Sequence, residues 1–254
     1  MNDLVTLELI VKAPEGVKLP QSAGSVLHGM LMEHIDKDYV ESLHQQALRP
    51  YSQHLKFDKE RDALVWRISA LNKRAADEVL APAFALPMCV HLKQKGWDLQ
   101  ILGKNYVSNT SYEKIAEKYF AHEIDVSAIE YRFLTSCSFK TDGDYAIFPQ
   151  PKLITKSLVN RWNAFATAER LDERSVAYDL AEQVYVADYD LKMQKFALEG
   201  TRIQAFRGSY TLAFKGNLMS RKIICMLGEF AQYSGIGIKT ALGMGATKTN
   251  LIKW

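Results

Sequence analysis

The sequence predicts an α+β protein made of two tandem β-α-β-β-α-β units, the ferredoxin-like arrangement. In each half, segments that alternate apolar and polar residues flank segments with apolar residues at helical spacing. A length of 254 residues suits one large domain or two domains of about 100–130 residues. We expect domains at 1–122 and 123–254, packed directly because no Pro-, Gly- or Ser-rich linker separates them.

The first half begins with an alternating strand at Leu4–Val11 that ends before Pro14 and Gly16. Ser22 is expected to cap a helix whose apolar residues recur at helical spacing as far as Ile35. Asn72 is expected to cap a later helix that ends at about Leu80, before Pro82. The remaining predictions are a helix at about 38–46 and strands at 53–57, 63–70, 89–92 and 96–107.

The second half repeats this order with extra segments. Asn217 is expected to cap its last helix, which is apolar on one face and carries Arg221 and Lys222 on another. Trp162 is expected in the core of an earlier helix. The predicted strands lie at 128–139, 145–148, 184–197, 204–215 and 246–254, and the other helical segments at 153–169 and 172–183.

Composition excludes several classes of protein. No run of 18 apolar residues is present to span a bilayer, and the first residues lack the features of a signal peptide. The three cysteines, Cys89, Cys137 and Cys225, are too far apart for a disulfide framework or a zinc pattern. We therefore expect buried thiols in the reducing cytoplasm and no membrane partner.

Positive charge is concentrated near the C-terminus. From Lys192 onward the sequence contains ten Lys and Arg residues and only two acidic residues, Glu199 and Glu229, a net charge of +8. Since the whole chain has a net charge of +3, residues 1–191 carry −5. A basic segment of this kind is typical of a surface that binds a polyanion. The alternative is that these charges are scattered over a solvated surface.

The most unusual segment is rich in glycine and runs from Gly235 to Ala246, GIGIKTALGMGA. Glycine permits positive φ and close backbone approach, and exposed N–H groups in such a loop can bind phosphate oxygens. The order helix, loop, strand does not fit a dinucleotide-binding or P-loop fingerprint. A tight turn that packs a helix onto a strand is the alternative interpretation.

The pattern G-x-G-x-K-(T/N/S)-(A/S)-L-G-(F/M)-G closely resembles the signature of the CRISPR-associated repeat-processing endoribonucleases, which belong to the RAMP superfamily. The resemblance implies two RNA-recognition-like folds side by side. It also implies RNA binding by the glycine-rich segment, and the concentration of positive charge adds the basic start of the preceding helix as a further expected contact. The expected RNA-binding residues are Gly235, Gly237, Lys239, Thr240, Gly243, Gly245, Arg221 and Lys222.

No metal-binding pattern or cofactor motif is found, so the expected reaction needs only side chains. The reaction that the resemblance implies is cleavage of RNA, in which the 2′-hydroxyl attacks the adjacent phosphate. A histidine acts as acid or base because its pKa lies near neutrality, and Lys or Arg stabilises the developing charge.

Two histidines lie in segments that resemble the same family. Leu27-His28-Gly29-Met30-Leu31 is similar to the start of its first helix, and Ser42-Leu43-His44 with Leu48-Arg49-Pro50-Tyr51-Ser52 is similar to the segment that follows. The resemblance implies His44 as the base or acid, His28 as its partner, and Arg49 as the residue that stabilises charge. Met32 stands where several relatives have a tyrosine near the reaction centre. Because methionine cannot act as an acid, the role of acid is vacant or falls to His28.

Other residues have plainer interpretations. His34 is expected to be a packed, hydrogen-bonded residue of the core, His54 and His91 strand residues, and His122 a loop residue. Tyr51, Tyr145, Phe148 and Tyr233 are possible stacking platforms for unpaired bases.

Three functions remain open at this stage. The first is a metal-independent endoribonuclease that cuts precursor CRISPR RNA within repeats and retains the guide RNA or passes it to an interference complex, as a monomer or homodimer. The second is a non-catalytic RNA-binding scaffold of the same superfamily. The third is a ferredoxin-like protein that binds a small anion or a protein partner.

Overall fold

The computed structural model describes residues 3–167, 170, 171, 175–198 and 200–254. The chain separates into two compact units. The first runs to Thr110 and also contains Lys239–Gly243, and the second contains Ser111–Ile238 and Met244–Trp254. This division places the helix Tyr112–Phe120 in the second unit, whereas the sequence-based boundary at 122/123 leaves that helix in the first.

In the first unit, one antiparallel sheet has the strand order β2-β3-β1-β5-β4. Strands β5, β1, β3 and β2 follow the ferredoxin-like order, and β4 is added at the edge. The elements are β1 Leu4–Lys12, α1 Gly24–Met32, α2 Lys37–Gln45, β2 Tyr51–Asp58, β3 Ala63–Ala70, α3 Lys73–Ala75, a π-helical turn Ala76–Leu80, α4 Ala81–Ala85, β4 Cys89–Leu92 and β5 Trp97–Thr110.

The core of this unit includes apolar side chains from one face of the sheet. Leu7 and Leu9 of β1 lie opposite Ile68 and Trp66 of β3, and all four are fully buried. Such burial stabilises the fold by roughly 1.5–3 kcal/mol for each large apolar side chain. The alternation that predicted β1 therefore reports which face of the sheet is covered.

Two helix boundaries differ from the sequence-based expectation. Ser22 lies in a 3₁₀ turn, Gln21–Ala23, and α1 begins at Gly24 without a side-chain cap. Asn72 does cap α3 by accepting a bond from the N–H of Ala75 at 2.8 Å. The helix nevertheless continues past Leu80, because Pro82 follows a π-helical turn and lies in the first turn of α4, where a missing N–H is tolerated.

The second unit has the sheet order β11-β6-β10-β9 and a separate hairpin, β7-β8. This order is again ferredoxin-like, so the predicted fold class is confirmed for both units. The elements are α5 Tyr112–Phe120, β6 Ala128–Cys137, β7 Phe139–Thr141, β8 Asp144–Ala146, α6 Pro151–Phe165, α7 Val176–Glu182, β9 Val184–Leu198, β10 Thr201–Phe214, α8 Leu218–Ser234 and β11 Thr247–Ile252.

An aromatic cluster fills the helical side of this unit. The Trp162 ring meets Tyr112 and Phe230 edge to face, with centroids 4.9 and 5.3 Å away, and Trp162 is fully buried as expected. Asn217 caps α8 through the N–H of Ser220 at 2.9 Å. The predicted helix to residue 169 ends at Phe165, and its last residues, 168 and 169, lie outside the described residues, as do 172–174 of the predicted insert.

One expectation about the cysteines is wrong. Cys137 and Cys225 are buried, but Cys89 is exposed because it lies on β4, which pairs with β5 alone at the edge of its sheet. None of the described helices is both long and apolar enough to cross a bilayer.

Candidate functional site

His28 lies on the helix α1, which is held against the core of the first unit by the buried side chains of Leu27 and Leu31. The imidazole itself is only partly buried. Burial above all, and then the positive charges of Arg49 and His44, lower the pKa of His28 to about 4. The imidazole is therefore neutral at neutral pH.

The hydroxyl of Tyr51 is the partner of this imidazole. Tyr51 Oη lies 2.9 Å from His28 Nδ1, and the two rings are nearly parallel, at 15° with centroids 6.2 Å apart. Among the described residues, the other hydrogen-bond contact of this hydroxyl is with Met32 Sδ, at 4.0 Å. Burial strongly raises the pKa of Tyr51. Because Tyr51 is fully buried, it cannot serve as the base-stacking platform that the sequence suggested.

His44 lies in the last turn of α2 and is exposed. The helix is capped by Asp36, which accepts a bond from the N–H of Tyr39 at 3.1 Å, and it is anchored by the buried Leu43. Arg49 follows the helix and donates a hydrogen bond to the carbonyl of Gln46. The carbonyl end of a helix favours cations, so the local structure suits positive charge at this position.

Gln53 connects α1 and β2 to part of the glycine-rich segment. It is almost completely buried, and its amide nitrogen donates to the carbonyls of Gly24 at 2.7 Å and Ala241 at 2.9 Å. Its amide oxygen accepts a bond from the indole N–H of Trp66. Gln53 therefore fixes the start of the helix that carries His28 relative to residues Lys239–Gly243.

The contact between α1 and this segment is close. A Cβ atom on Gly24 would lie 2.8 Å from the carbonyl oxygen of Leu242, so only glycine fits at this position. Thr240–Leu242 form a 3₁₀ turn that is preceded by Lys239 at φ +56°. Lys239 is exposed, and a non-glycine residue in this conformation is a sparsely populated, strained state. The structure therefore brings Lys239 into the same unit as His28 and His44.

Gly237 and Gly245 of the glycine-rich segment are required by close packing within the second unit. At Gly245, a Cβ atom would lie 1.9 Å from the carbonyl oxygen of Ile236, and at Gly237, 2.3 Å from that of Ser138. Their N–H groups donate within the protein, Gly245 to the Ser136 carbonyl and Gly237 to the Ser157 hydroxyl, both at 2.9 Å. The tight-turn interpretation therefore accounts for these two glycines.

The backbone N–H groups of Gly235 and Gly243 also have hydrogen-bond acceptors within the protein. Gly235 ends α8 at φ +64° and donates to the carbonyl of Ala231 at 2.9 Å, while the N–H of Gly243 lies 3.4 Å from the carbonyl of Thr240. The side chain of Thr240 is buried. Of the residues expected to bind RNA in this segment, Lys239 is thus the one with an exposed, charged side chain.

Arg221 and Lys222 lie near the start of α8, while the glycine-rich segment begins at its end. A rise of 1.5 Å per residue separates Lys222 from Gly235 by roughly 20 Å along the helix. Arg221 Nε donates to the carbonyl of Gly216 at 3.1 Å, and Lys222 Nζ to that of Phe120 at 3.5 Å. The structure therefore does not bring these two residues to the start of the glycine-rich segment.

Sequence reasoning did not single out Arg161, a buried arginine under the glycine-rich segment. Its Nη2 donates to the carbonyl of Gly237 at 2.9 Å. Among the described residues, its Nε and Nη1 have no hydrogen-bond partner. Burial lowers its pKa to about 10. Ser157 and Arg161, one turn apart on α6, thus hold both polar groups of the Gly237 backbone.

Three other histidines of the first unit have different surroundings. His34 is exposed rather than packed in the core, because it follows the end of α1, and its Nδ1 lies 2.9 Å from a carbonyl of that helix. His54 lies on β2, and burial, then Arg67, lower its pKa to about 3. His91 Nδ1 lies 2.7 Å from Asp98 Oδ1, and both side chains are exposed. Within the described ranges, no three His, Cys, Asp or Glu side chains are grouped so as to hold a metal ion.

Comparisons with known proteins agree on one family. Residues 131–247 match the family model described as CRISPR-associated endoribonuclease Cas6. Two curated proteins of that name are similar over most of their length. The Mycobacterium tuberculosis protein is 31% identical over 248 residues, 96% of this chain and 77% of the relative. The Streptococcus thermophilus protein is 32% identical over 226 residues, 87% of this chain and 88% of the relative.

Solved structures share the fold. A Thermus thermophilus Cas6 has a TM-score of 0.75 at 20% identity and covers 98% of this chain and 99% of its own. A Cas6 structure described as a product complex has a TM-score of 0.78 at 22% identity, with 97% and 99% coverage.

Proposed function

The chain belongs to the family of the CRISPR-associated endoribonuclease Cas6, and we propose that it cleaves precursor CRISPR RNA within each repeat to release guide RNAs. The observation that supports this activity most directly is the grouping of two histidines with an arginine in the first unit. His44 and Arg49 act electrostatically on His28, and the segment with the exposed Lys239 belongs to the same unit.

In the proposed reaction, the 2′-oxygen of the nucleotide before the scissile bond attacks the phosphorus, and the bond from phosphorus to the 5′-oxygen breaks. The products are a 2′,3′-cyclic phosphate and a 5′-hydroxyl. His44 is the proposed acid or base, because it is exposed and lies within electrostatic range of His28. Arg49 stabilises the negative charge that develops on the phosphate oxygens. These steps require only side chains of this chain.

RNA binding in this proposal relies on the basic C-terminal part of the chain. Lys239 places an exposed ammonium at the strained turn of the glycine-rich segment, and Gln53 ties that turn to α1. A phosphate held at this turn would lie in the unit that carries the histidines. The glycines contribute by allowing the turn to pack closely rather than by offering free amide groups.

The test is single-turnover cleavage of candidate repeat RNA in excess EDTA, with analysis of the product ends. We expect cyclic-phosphate ends, and His44→Ala should lower the rate constant at least about a hundredfold while RNA affinity stays nearly unchanged. His91→Ala is the matched control, because His91 is also an exposed histidine of the first unit but lies on β4, the edge strand of its sheet. Full activity in His44→Ala would remove His44 from the mechanism.

Lys239→Ala tests the RNA-binding part of the proposal separately. It should weaken binding of repeat RNA and reduce the dependence of affinity on salt by about one counterion. If the salt dependence does not change, Lys239 does not contact a phosphate. A chain that binds repeat RNA but leaves it intact would instead be the non-catalytic scaffold, which holds guide RNA within an interference complex.

A further inference from the structure

We propose that Tyr51 is a positioning residue that sets the tautomer of His28, so that His28 offers its Nε2–H to the reacting phosphate as a neutral hydrogen-bond donor. The inference rests on the proposed cleavage of RNA for its functional meaning. Its structural part, the tautomer, stands on the contacts around the Tyr51 hydroxyl alone.

The hydroxyl proton of Tyr51 has two possible acceptors among the described residues. One is His28 Nδ1 at 2.9 Å, a distance typical of a good hydrogen bond. The other is Met32 Sδ at 4.0 Å, and a thioether is a weak acceptor. The proton is therefore donated to Nδ1. An imidazole that accepts at Nδ1 must carry its own proton on Nε2 when it is neutral.

The surroundings keep the imidazole neutral. Burial above all, and then the cation Arg49, disfavour the charged form of His28, and Tyr51 stays un-ionised because it is buried. A neutral imidazole with its proton on Nε2 has no free lone pair there to accept the proton of the 2′-hydroxyl. It donates a hydrogen bond instead, which stabilises charge on a phosphate oxygen.

This arrangement divides the roles of the two histidines. His44 takes the proton of the 2′-hydroxyl and releases it to solvent, and water gives a proton to the departing 5′-oxygen. His28 stabilises the pentavalent phosphorus by hydrogen bonding without transferring a proton. The tyrosine hydroxyl near the site comes from β2 in this chain.

The experiment reads the tautomer directly. Long-range proton–nitrogen correlation NMR on the full chain near pH 7, with His28→Gln for assignment, should show His28 protonated on Nε2 and unprotonated but hydrogen-bonded on Nδ1. In Tyr51→Phe, the Nδ1 resonance should move toward the value of a nitrogen without a donated bond. Met32→Leu is the matched control and should leave the spectrum unchanged.

Two results would overturn the inference. One is a proton on Nδ1 in the wild type, which would mean that the Tyr51 proton goes to Met32 and that Nε2 is a base. The other is an Nδ1 resonance that stays in place in Tyr51→Phe. The wild-type spectrum tests the inference even if Tyr51→Phe does not fold.

A second arm measures cleavage. Tyr51→Phe should lower the single-turnover rate constant roughly tenfold with RNA affinity unchanged, while Met32→Leu keeps the wild-type rate. An unchanged rate in Tyr51→Phe would show that the tautomer has no part in catalysis. If no repeat RNA is cleaved by the wild type, the proposed function fails, whereas the NMR result still decides the tautomer.

Discussion

Acidification should destabilise the folded protein through His28. In the folded state, burial and the charges of Arg49 and His44 hold the pKa of His28 at about 4, against 6.5 in an unperturbed chain. The unfolded chain therefore binds a proton more readily between these two values. The free energy of unfolding should fall as the pH drops below 6.5, and the contribution of His28 should be fully lost below pH 4.

The magnitude follows from the size of the pKa shift. A depression from 6.5 to about 4 corresponds to roughly 3 kcal/mol over the whole window, and about 2 kcal/mol of this is lost between pH 7 and pH 5. Exposed ion pairs elsewhere contribute less, because solvent screens them. His54, whose pKa is lowered to about 3, adds a similar loss that does not depend on His28.

Urea denaturation at pH 7 and pH 5 measures this difference. In His28→Gln, the loss of stability between the two pH values should be about 2 kcal/mol smaller than in the wild type, because Gln does not titrate. His91→Gln removes an exposed histidine and should show the wild-type loss. Equal losses in the wild type and His28→Gln would refute the claim that this imidazole is held neutral by its surroundings.

Two further predictions concern the glycine-rich segment. Gly245→Ala should destabilise the protein by roughly 3 kcal/mol more than Gly16→Ala, as measured by urea denaturation. Both glycines have positive φ, +69° at Gly245 and +78° at Gly16, but only at Gly245 would a Cβ atom meet a backbone oxygen at 1.9 Å. Equal costs would mean that the segment relaxes freely. Gln53→Leu should lower the free energy of unfolding by roughly 2–5 kcal/mol, because it leaves the carbonyl of Ala241 and the indole of Trp66 without this partner. It should also weaken binding of repeat RNA. Wild-type RNA affinity in a folded variant would show that Gln53 does not support the RNA-binding turn.

Local signals in the sequence were sufficient for most of the architecture. The alternation in β1 and the caps at Asn72 and Asn217 appear in the structure where they were predicted, because strand and helix periods and N-caps depend on residues within one turn or one strand. The expectation for Ser22 was wrong because the 3₁₀ turn at its position leaves no side-chain cap to form. The exposure of Cys89 depends on strand order, which no local pattern reports.

The site divides in the same way. Sequence motifs alone singled out His28, His44, Arg49 and the glycine-rich segment as candidates, because residue type and spacing are visible along the chain. Only the folded chain brings Tyr51 to His28 across 23 positions and Gln53 to Ala241 across 188, and only it shows that Gly237 and Gly245 serve close packing. Hydrogen-bond partners and pKa values depend on which atoms meet in three dimensions, and that is decided when the sheet and helices pack.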